Sequence, residues 1–382
     1  MGWQVPLSDI DLGDAEVAAV EKVLRSRWLS MGPVTQEFET AFAATIDVKH
    51  AFAVSNGTTA LHLAYAALGL EPGDEVIVPA LTFVATANAI RYTGATPVFA
   101  DVSSLDDLTI SPVDIAAKIT PRTRAIVVMH YGGYLCDMAA IRTLAQQHEL
   151  TIVEDACHAP GAMLGREHAG ALSAVGCFSF FANKNIAIGE GGMVVTNFDD
   201  LAERIRLLRS HGMTTLTWDR HRGHAASYDV VTTGFNYRLD EIHSALGLAQ
   251  LGRLAKNTYR RADKVARYRA ELTGLPGLAV PFRVTAAGSQ PAYHLFPIIL
   301  DPAIDRAAFM AHLRDQGIQS SIHYPPIHRF TAFRDELADV QLPVTEAAGE
   351  REVTLPLFPT MTDAQIEAVV IAVRAALAEA RA

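Results

Sequence analysis

The sequence has few cysteines, few charged residues and no basic character. Its 382 residues include three cysteines, and Cys136, Cys157 and Cys177 form no CxxC pair. A disulfide-stabilised scaffold is therefore not expected, and the pattern favours a reducing compartment, the cytoplasm. Charged residues make up 19% of the chain, with 32 basic against 42 acidic side chains and a net charge of −10. Nucleic-acid-binding proteins normally carry a basic surface, so this balance argues against that class.

Membrane segments and several familiar motifs are also missing. No apolar run approaches the roughly 20 residues that span a bilayer, and the first residues do not resemble a signal peptide. The sequence contains no GxGxxG after a strand, GxxxxGK(S/T), HExxH or GxSxG, which argues against nicotinamide-binding, P-loop and common hydrolase sites. No spacing of histidines and cysteines indicates a metal site. Half of the residues are hydrophobic, so a large core can be buried, and an acidic cytosolic enzyme is expected.

Short apolar runs alternate with helical patterns between residues 51 and 200. The runs are Ala51–Val54, Glu75–Val78, Thr96–Ala100, Ala125–Met129, Thr151–Glu154, Cys177–Phe180 and Met193–Thr196. Runs that are almost continuously apolar are typical of strands buried on both faces. The alternation predicts an α/β fold with a large, mostly parallel, seven-stranded sheet between layers of helices.

The last part of the chain has a different pattern. Helices are predicted over Leu239–Leu251 and Leu254–Leu272, before a turn at Gly274–Gly277. Beyond it, strands are predicted at Ala292–Leu300 and Gln319–Tyr324, with helices at residues 306–316 and 363–378. We therefore predict a large domain over residues 1–250, which includes N-terminal helices and a polar insertion at 211–233, and a smaller α+β domain over 251–382.

The residues that follow each apolar run are candidates for a site, because ligands of doubly wound sheets bind at the carboxyl ends of strands. After the first run, Gly57, Thr58 and Thr59 combine a glycine with two hydroxyl groups where a helix begins. Backbone N–H groups and the helix dipole make such a position a good phosphate site. An ordinary helix cap by Asn56 or Thr58 would explain the same pattern.

Two charged residues at later strand ends are candidate catalytic groups. Asp155 follows a buried run, where a carboxylate needs a partner such as a pyridinium nitrogen; a helix cap is the alternative. Lys184 lies before a glycine-rich turn with no other charge within five residues. A lysine there can form a Schiff base with a carbonyl cofactor, whereas an exposed loop lysine is the ordinary alternative. From the local pattern alone, His158 and Cys157 are interpreted as structural residues.

The three segments together predict one cofactor, pyridoxal 5′-phosphate (PLP). PLP chemistry requires a lysine that forms an imine, an acidic partner for the ring nitrogen and a held phosphate. A phosphate-binding helix start, an aspartate at a strand end and an isolated lysine on a later loop supply these three functions.

The sequence also resembles a known family, the sugar aminotransferases often named DegT/DnrJ/StrS, which are PLP-dependent enzymes of fold type I. The resemblance runs through nearly the whole chain and is carried by motifs in the family's order. These are residues 28–33, 55–61, 78–86, 154–158, 179–185, 189–192, 234–238 and 355–359.

The resemblance implies roles for the residues that would hold the cofactor ring. Lys184 occupies the position of the lysine that binds PLP covalently, and Asp155 that of the partner of the pyridine nitrogen. His158 matches a position near the ring hydroxyl, and Phe83 matches the aromatic residue that stacks on the ring.

Phosphate contacts are implied by the same resemblance for Gly57, Thr58 and Ser179. Asn236 matches a phosphate contact that the neighbouring subunit supplies, which implies a homodimer with shared active sites.

Three features refine the comparison with the family. Phe181 and Ala182 stand where many relatives carry His or Tyr and Pro, but neither position has an obligatory chemical role. Lys184 stands where a dehydratase branch has His, so dehydration by that route is disfavoured. Glu190, in Gly189-Glu-Gly-Gly192, is more similar to the group that aminates carbon four of the sugar than to the carbon-three group.

The expected reaction is a ping-pong transfer of the amino group of L-glutamate to a ketone of a nucleotide-linked sugar, such as an NDP-4-keto-6-deoxyhexose. Trp28 is predicted to lie on the substrate side. The insertion offers Arg220 and Arg222, with neighbouring histidines, as a clamp for the diphosphate, or else it is a solvated loop. Tyr324 and His328 either face the sugar or belong to a structural Pro-rich turn.

Other functions fit part of the pattern. A 3-keto sugar or a ketocyclitol would use the same fold and first half-reaction. A regulatory protein that retains the fold without turnover is a distant alternative, since Lys184 and Asp155 are both present. A PLP-dependent lyase or decarboxylase would use these two residues but not the full motif set.

Overall fold

The computed structural model describes residues 2–215, 227–285 and 288–379. Within them the helices are α1 (Asp14–Ser26), α2 (Pro33–Ile46), α3 (Gly57–Leu68), α4 (Ala85–Tyr92), α5 (Pro112–Lys118), α6 (Met138–Gln147), α7 (Asp199–Arg209), α8 (Glu241–Leu251), α9 (Leu254–Leu272), α10 (Arg306–Asp315), α11 (Thr331–Arg334), α12 (Pro343–Arg351) and α13 (Asp363–Glu379).

The strands follow the predicted alternation with these helices. They are β1 (His50–Val54), β2 (Glu75–Pro79), β3 (Thr96–Ala100), β4 (Val102–Ser104), β5 (Asp107–Ile110), β6 (Thr123–Met129), β7 (Thr151–Asp155), β8 (Met163–Leu164), β9 (Glu167–His168), β10 (Val175–Ser179), β11 (Gly192–Thr196), β12 (Leu278–Ala279), β13 (Ser289–Gln290), β14 (Phe296–Leu300) and β15 (Glu352–Leu355).

Seven of these strands form the main sheet, in the order β1-β11-β10-β7-β6-β2-β3. They are the seven predicted apolar runs, each within two residues of its predicted ends. β10, β7, β6, β2 and β3 pair in parallel, whereas β11 runs antiparallel to both β10 and β1. In the register of the sheet, Asp155 at the end of β7 lies between Met129 of β6 and Cys177 of β10. The predicted mostly parallel sheet is therefore confirmed, and its central strands end at the same edge.

Helices cover both faces of this sheet. Residues of α3 and α4, such as Leu61 and Ile90, pack in one core, whereas Ile115 of α5 and Ile141 of α6 pack in another on different strand residues. β2, β10 and β11 are buried along their whole length. Burial on two faces explains why these strands are almost continuously apolar instead of alternating.

A second core forms around a smaller antiparallel sheet in the order β12-β14-β15. It is built from α9, α10 and α13, with Tyr268, Phe296 and Val373 among its buried residues. Val5 joins the same core and pairs with Ile318, so the first residues of the chain pack beside the C-terminal elements. The small α+β unit that the sequence predicts is present, and the exact division at residue 250 stays a prediction.

Two predicted details differ from the structure. Residues 319–324 do not form a strand; Ser321 makes a single bridge to Thr354 there. The following Pro325 and Pro326 lack the N–H groups that a continuing ladder needs. The predicted strand from Ala292 is limited to β14. No helix in the described ranges is long and apolar enough to cross a membrane.

Candidate active site

A cavity of about 390 Å³ opens at the carboxyl edge of the main sheet. Its lining includes eight of the predicted site residues: Gly57, Thr58, Phe83, Asp155, His158, Ser179, Lys184 and Tyr324. They come from five stretches of chain that are distant in sequence. Such a meeting at the strand ends is the usual ligand position in open α/β sheets.

Asp155 is the last residue of β7 and is almost completely buried. Its Oδ2 accepts a hydrogen bond of 2.7 Å from the Thr86 hydroxyl, and its Oδ1 accepts one of 3.2 Å from the backbone N–H of Cys157. Each carboxylate oxygen thus has a donor, which offsets part of the cost of burying the charge. The arrangement holds an acidic group, with a fixed orientation, against the cavity.

Lys184 lies on the loop between β10 and β11. Its backbone N–H donates to the Phe181 carbonyl at 2.9 Å, and Asn185 next to it anchors the loop by donating to the Ala292 carbonyl at 2.8 Å. Burial lowers the pKa of the Lys184 ammonium, and the neighbouring acidic groups of Cys157 and Asp155 oppose that shift. An amine with a lowered pKa is more often unprotonated, which makes it a better nucleophile and proton acceptor.

The start of α3 forms one wall of the cavity. Asn56 caps the helix, because its side-chain oxygen accepts from the Thr59 N–H at 2.9 Å, while the Thr59 hydroxyl accepts from the Asn56 N–H at 3.1 Å. The helix cap that the sequence offered as an alternative therefore exists, and it uses the N–H and hydroxyl groups of Thr59. The N–H groups of Gly57 and Thr58 belong to the first turn, which has no carbonyl partners within the helix, and remain suited to an anion.

Gly57 also shows how close this wall lies to the next strand. A Cβ at this position would stand 2.8 Å from the Ser179 Cβ and 3.2 Å from the Cys157 Sγ. No residue larger than glycine fits there without displacing its neighbours. The close approach brings the first turn of the helix beside the Ser179 hydroxyl at the end of β10.

His158 and Tyr324 form a hydrogen-bonded pair across the cavity. The Gly132 N–H donates to His158 Nδ1 at 3.3 Å, and the Tyr324 hydroxyl lies 3.0 Å from His158 Nε2. Burial lowers the pKa of His158 well below its ordinary value, so the ring is neutral. Because Nδ1 accepts, the hydrogen is on Nε2 and is donated to the Tyr324 oxygen. Burial also raises the pKa of Tyr324, which leaves its hydroxyl hydrogen for another acceptor.

Phe83 stands at the mouth of the cavity. Its side chain is 55% exposed, and its ring centre lies 6.0 Å from that of Tyr324. An exposed aromatic ring beside a polar cavity is suited to cover a flat ligand.

The remaining predicted residues lie elsewhere. Asn236 is exposed and bridges to Ser210. Trp28 lies between α1 and α2, against Gly32. His328 is fully buried and bonds Glu346 at 2.9 Å. None of these three is in the cavity lining of this chain, and Arg220 and Arg222 lie outside the described residues.

The cavity also contains residues to which the sequence assigned no role. Thr86 bonds Asp155, and Cys157, Asn183 and His323 also line the cavity. Thr86 and Asn183 fall inside two of the family motifs, which was the available signal for them. His323 precedes Tyr324 in a loop from the C-terminal unit, and no local pattern marks it as a cavity residue.

These residues fit PLP. Lys184 supplies an amine for its aldehyde, Asp155 an acidic partner for its ring nitrogen, and the turn at Gly57 with Ser179 a site for its phosphate. The Asn183 side-chain oxygen is buried at the cavity and has no hydrogen-bond partner within the described part of the chain. An unpaired buried acceptor in a polar cavity is expected where a ligand supplies the donor.

Comparisons with known proteins find relatives along nearly the whole chain. The model of the DegT/DnrJ/EryC1/StrS aminotransferase family matches residues 11–374. The spore coat polysaccharide biosynthesis protein SpsC of Bacillus subtilis (strain 168) is 40% identical over 370 residues, which cover 95% of this chain and 94% of SpsC.

Solved structures show the same fold. S. venezuelae DesV, in complex with a ketimine intermediate, is 38% identical with a TM-score of 0.90 and 98% coverage of both chains. The PLP form of the putative sugar aminotransferase Spr1654 from Streptococcus pneumoniae is 27% identical with a TM-score of 0.91, covering 98% of this chain and 99% of that one.

Proposed function

The chain belongs to the DegT/DnrJ/EryC1/StrS aminotransferase family, and we propose that it moves the amino group of L-glutamate to carbon four of an NDP-4-keto-6-deoxyhexose. It is a PLP-dependent sugar aminotransferase. The observation that carries the proposal is the meeting of Lys184, Asp155 and the start of α3 in one cavity.

The chain's own residues divide the work of the reaction. PLP, when bound, supplies an aldehyde that reacts with amines and a ring that accepts electrons. Asp155 would be the acidic partner of the ring nitrogen, and Thr86 and the Cys157 N–H hold its two oxygens in place. Lys184 takes a proton as general base and returns it as general acid, which its lowered pKa favours.

Tyr324 is proposed to orient the sugar. His158 donates to the Tyr324 oxygen, so the phenol hydrogen is left to bond an oxygen in the cavity. A ketone or hydroxyl oxygen of a sugar is such an acceptor. Glu190, in the Gly189–Gly192 turn, also lines the cavity, and its resemblance to the carbon-four group supports amination there. A 3-keto sugar or a ketocyclitol remains the alternative substrate.

The active sites are proposed to be shared in a homodimer. Asn236 is exposed and lies outside the cavity lining of its own chain, as a phosphate contact for the partner's site would be. Arg220 and Arg222 lie outside the described residues, and their role as a diphosphate clamp is proposed from the sequence alone. The three cysteines are free, in keeping with the proposed cytoplasmic location.

The test has two stages. The visible absorbance of the PLP-loaded protein is recorded before and after L-glutamate, and 2-oxoglutarate is measured. NDP-4-keto- and NDP-3-keto-6-deoxyhexoses are then supplied to the glutamate-treated protein, and amino-sugar products are identified by mass and NMR. We expect the 4-amino product. A 3-amino product would move the assignment to the alternative, and failure with glutamate would reject the donor.

Substrate contacts are tested with matched variants. Tyr324→Phe should raise the KM for the sugar about tenfold and leave the KM for glutamate within about twofold, since one hydrogen bond is removed. Tyr259→Phe, at a residue that is 78% exposed, is the control. An unchanged sugar KM in Tyr324→Phe would dismiss the contact.

A further inference from the structure

A buried glutamate is connected to the cavity through two side chains. The carboxyl Oε2 of Glu352, on β15, accepts from the backbone N–H of His323 at 2.8 Å, and its Oε1 bonds the Thr354 hydroxyl. The Thr354 oxygen in turn lies 2.8 Å from His323 Nδ1. His323 lines the same cavity as Lys184, whereas Glu352 and Thr354 are each 1% exposed.

The loop that carries His323 is held in place on both sides. The backbone N–H of Thr354 donates to the Ser321 carbonyl at 2.8 Å, and the Tyr131 hydroxyl donates to the carbonyl of His323. Because the loop and the strand are fixed together, the distances between the three side chains are set by the fold.

The protonation of Glu352 decides the direction of these hydrogen bonds. When the carboxyl group is neutral, Oε2 accepts from His323 N–H, so the acid hydrogen is on Oε1 and is donated to Thr354. Thr354 has one hydroxyl hydrogen and gives it to His323 Nδ1. A neutral His323 then carries its own hydrogen on Nε2, the ring nitrogen left for a ligand in the cavity.

Ionisation of Glu352 reverses the chain. The carboxylate accepts the Thr354 hydrogen, and the Thr354 oxygen accepts a hydrogen from His323 Nδ1. Nε2 is then an acceptor instead of a donor. One proton has left the chain at Nε2, and one negative charge has appeared on Glu352, so atoms and charge balance.

The surroundings make both groups neutral over a wide pH range. Burial raises the pKa of Glu352 to about 8, against the opposing effect of its hydrogen bonds and of Arg306. Burial, with the nearby Lys184, lowers the pKa of His323 to about 4. Both groups are therefore uncharged when the pH lies between their two pKa values. The hydrogen-bonded chain of side chains releases its proton as the pH rises past the pKa of Glu352.

Several titratable or charged groups on other elements face Glu352 and His323, which are the two ends of this series of hydrogen bonds. Near Glu352 are Arg306, which donates to its main-chain oxygen at 3.3 Å, and the phenols of Tyr131 and Tyr324. The adjacent strand β14 contributes only apolar residues and Pro297. Facing His323 are Lys184, His158 and His294, and burial lowers the pKa of each of these three. Asp155 is a second buried acid in this cavity, and Glu352 is the one connected to His323 through Thr354.

We propose that Glu352, Thr354 and His323 form a proton relay, which delivers the Glu352 proton to the cavity through Nε2 of His323 and takes it back in the reverse direction. Glu352 and Thr354 are positioning residues that act through the histidine. The proton acceptors in the cavity are an oxygen or nitrogen of the substrate, and this part of the inference rests on the proposed aminotransferase function.

The relay is tested on the PLP-loaded protein without any sugar. The two ring nitrogens of His323 are distinguished in a long-range proton–nitrogen NMR spectrum of protein labelled at histidine, with the signal assigned by its loss in His323→Gln. With a pKa of about 8 for Glu352, the ratio of neutral to ionised acid changes about 100-fold between pH 7 and 9. The hydrogen should therefore move from Nε2 to Nδ1 over this range. A tautomer that does not change would overturn the relay.

Two variants separate the relay from a structural effect. In Glu352→Gln, the amide accepts from His323 N–H and donates to Thr354, so Nε2 should keep its hydrogen at every pH. Thr354→Val should uncouple the tautomer from Glu352, and Thr354→Ser should restore the change. Glu75→Gln is the matched control, since Glu75 is a buried strand carboxylate that bonds Thr120. A pH-dependent tautomer that persists in both Glu352→Gln and Thr354→Val would reject the mechanism.

Kinetics on the glutamate half-reaction give a second readout. The wild-type rate should show a pH-dependent step near 8 that is absent in Glu352→Gln and present in Glu75→Gln. A protein that shows the tautomer reversal but aminates no sugar would retain the relay and reject the proposed substrate, so the two failures are distinguishable. The same step in Glu352→Gln as in wild type would count against the relay.

Discussion

Replacement of Thr86 by Val is expected to weaken PLP binding sharply, because Thr86 stabilises the carboxylate of Asp155. Its hydroxyl has one hydrogen and three neighbours: Asp155 Oδ2 at 2.7 Å, the Phe83 carbonyl at 3.0 Å and the Thr82 hydroxyl at 3.0 Å. The charged oxygen is the strongest acceptor and lies nearest, so it receives the hydrogen. The Thr82 hydroxyl can then donate to Thr86, which polarises the bond to Asp155 further.

The size of the effect follows from the charge on the acceptor. A hydrogen bond to a charged group contributes about 1.5–3 kcal/mol, and about 1.4 kcal/mol corresponds to a tenfold change in affinity. Val has nearly the shape of Thr, so the variant removes the donor while the wall beside Asp155 stays filled. The Cys157 N–H still bonds the other oxygen. The Kd for PLP should rise roughly ten- to hundredfold.

In the assay, PLP is titrated into the PLP-free protein and binding is monitored by protein fluorescence. The free energy of unfolding in urea is measured for the same proteins. Thr86→Ser keeps the hydroxyl and should bind PLP within about threefold of wild type. Thr109→Val is the matched control, because Thr109 is 1% exposed and donates to Asp107 at 2.8 Å away from the cavity. Thr109→Val should reduce stability without changing the Kd. Equal Kd values for wild type and Thr86→Val would refute the reasoning.

Three further predictions concern the cofactor site and its surroundings. Lys184→Ala should lose the visible absorbance of bound PLP, and its turnover should fall at least about a thousandfold. Lys184→Arg should recover neither property, since a non-nucleophilic cation cannot replace the amine. Turnover near the wild-type rate in either variant would contradict this. Gly57→Ala should weaken PLP binding about tenfold but not binding of pyridoxal, which lacks the phosphate, because the new methyl group meets Ser179 at 2.8 Å; equal losses for both ligands would place the damage elsewhere. Burial lowers the pKa of His294 well below its ordinary value. The unfolded state therefore binds an extra proton below pH ~6.5, and the free energy of unfolding falls as the pH decreases. Between pH 7 and 5, urea unfolding should show a smaller fall in His294→Gln than in wild type, and an equal fall would reject the assignment.

The main sheet could be predicted because its signal is local. Burial on two faces favours apolar residues at nearly every position of a strand, and runs such as Ala125–Met129 show this without knowledge of the fold. The strand ends then locate Asp155 and the segment after β1, since parallel strands present their carboxyl ends at one edge. The role predicted for Lys184 rests on the absence of other charges within five residues, together with the family motifs.

The parts that could not be predicted depend on contacts between distant segments. Tyr324 meets His158 across 166 positions in the sequence, whereas the Pro-rich segment after it favours a structural turn. His328, four residues later in the same Pro-rich segment, was predicted beside Tyr324 as a substrate contact, but it is buried against Glu346. The fold decides which of the two faces the cavity, because residues 325–329 turn the chain away through two prolines and a short 3-10 helix.

Two buried carboxylates illustrate why residue type alone does not define a role. Asp155 and Glu352 both lie on β-strands, both are almost fully buried, and both make two hydrogen bonds through their carboxyl oxygens. The charge of the Lys184 ammonium interacts with the Asp155 carboxylate. The groups that hydrogen-bond Asp155 either can only donate to it or have their hydroxyl hydrogen directed toward it. The bond from Thr354 to Glu352 can instead run in either direction, because the threonine has a second partner in His323 that accepts as readily as it donates. The first arrangement fixes a charge, as a partner for a ring nitrogen must, and the second allows a proton to be held and released. Separation of two acids into these roles by their hydrogen-bond partners is the means by which one site can run acid and base steps at the same pH.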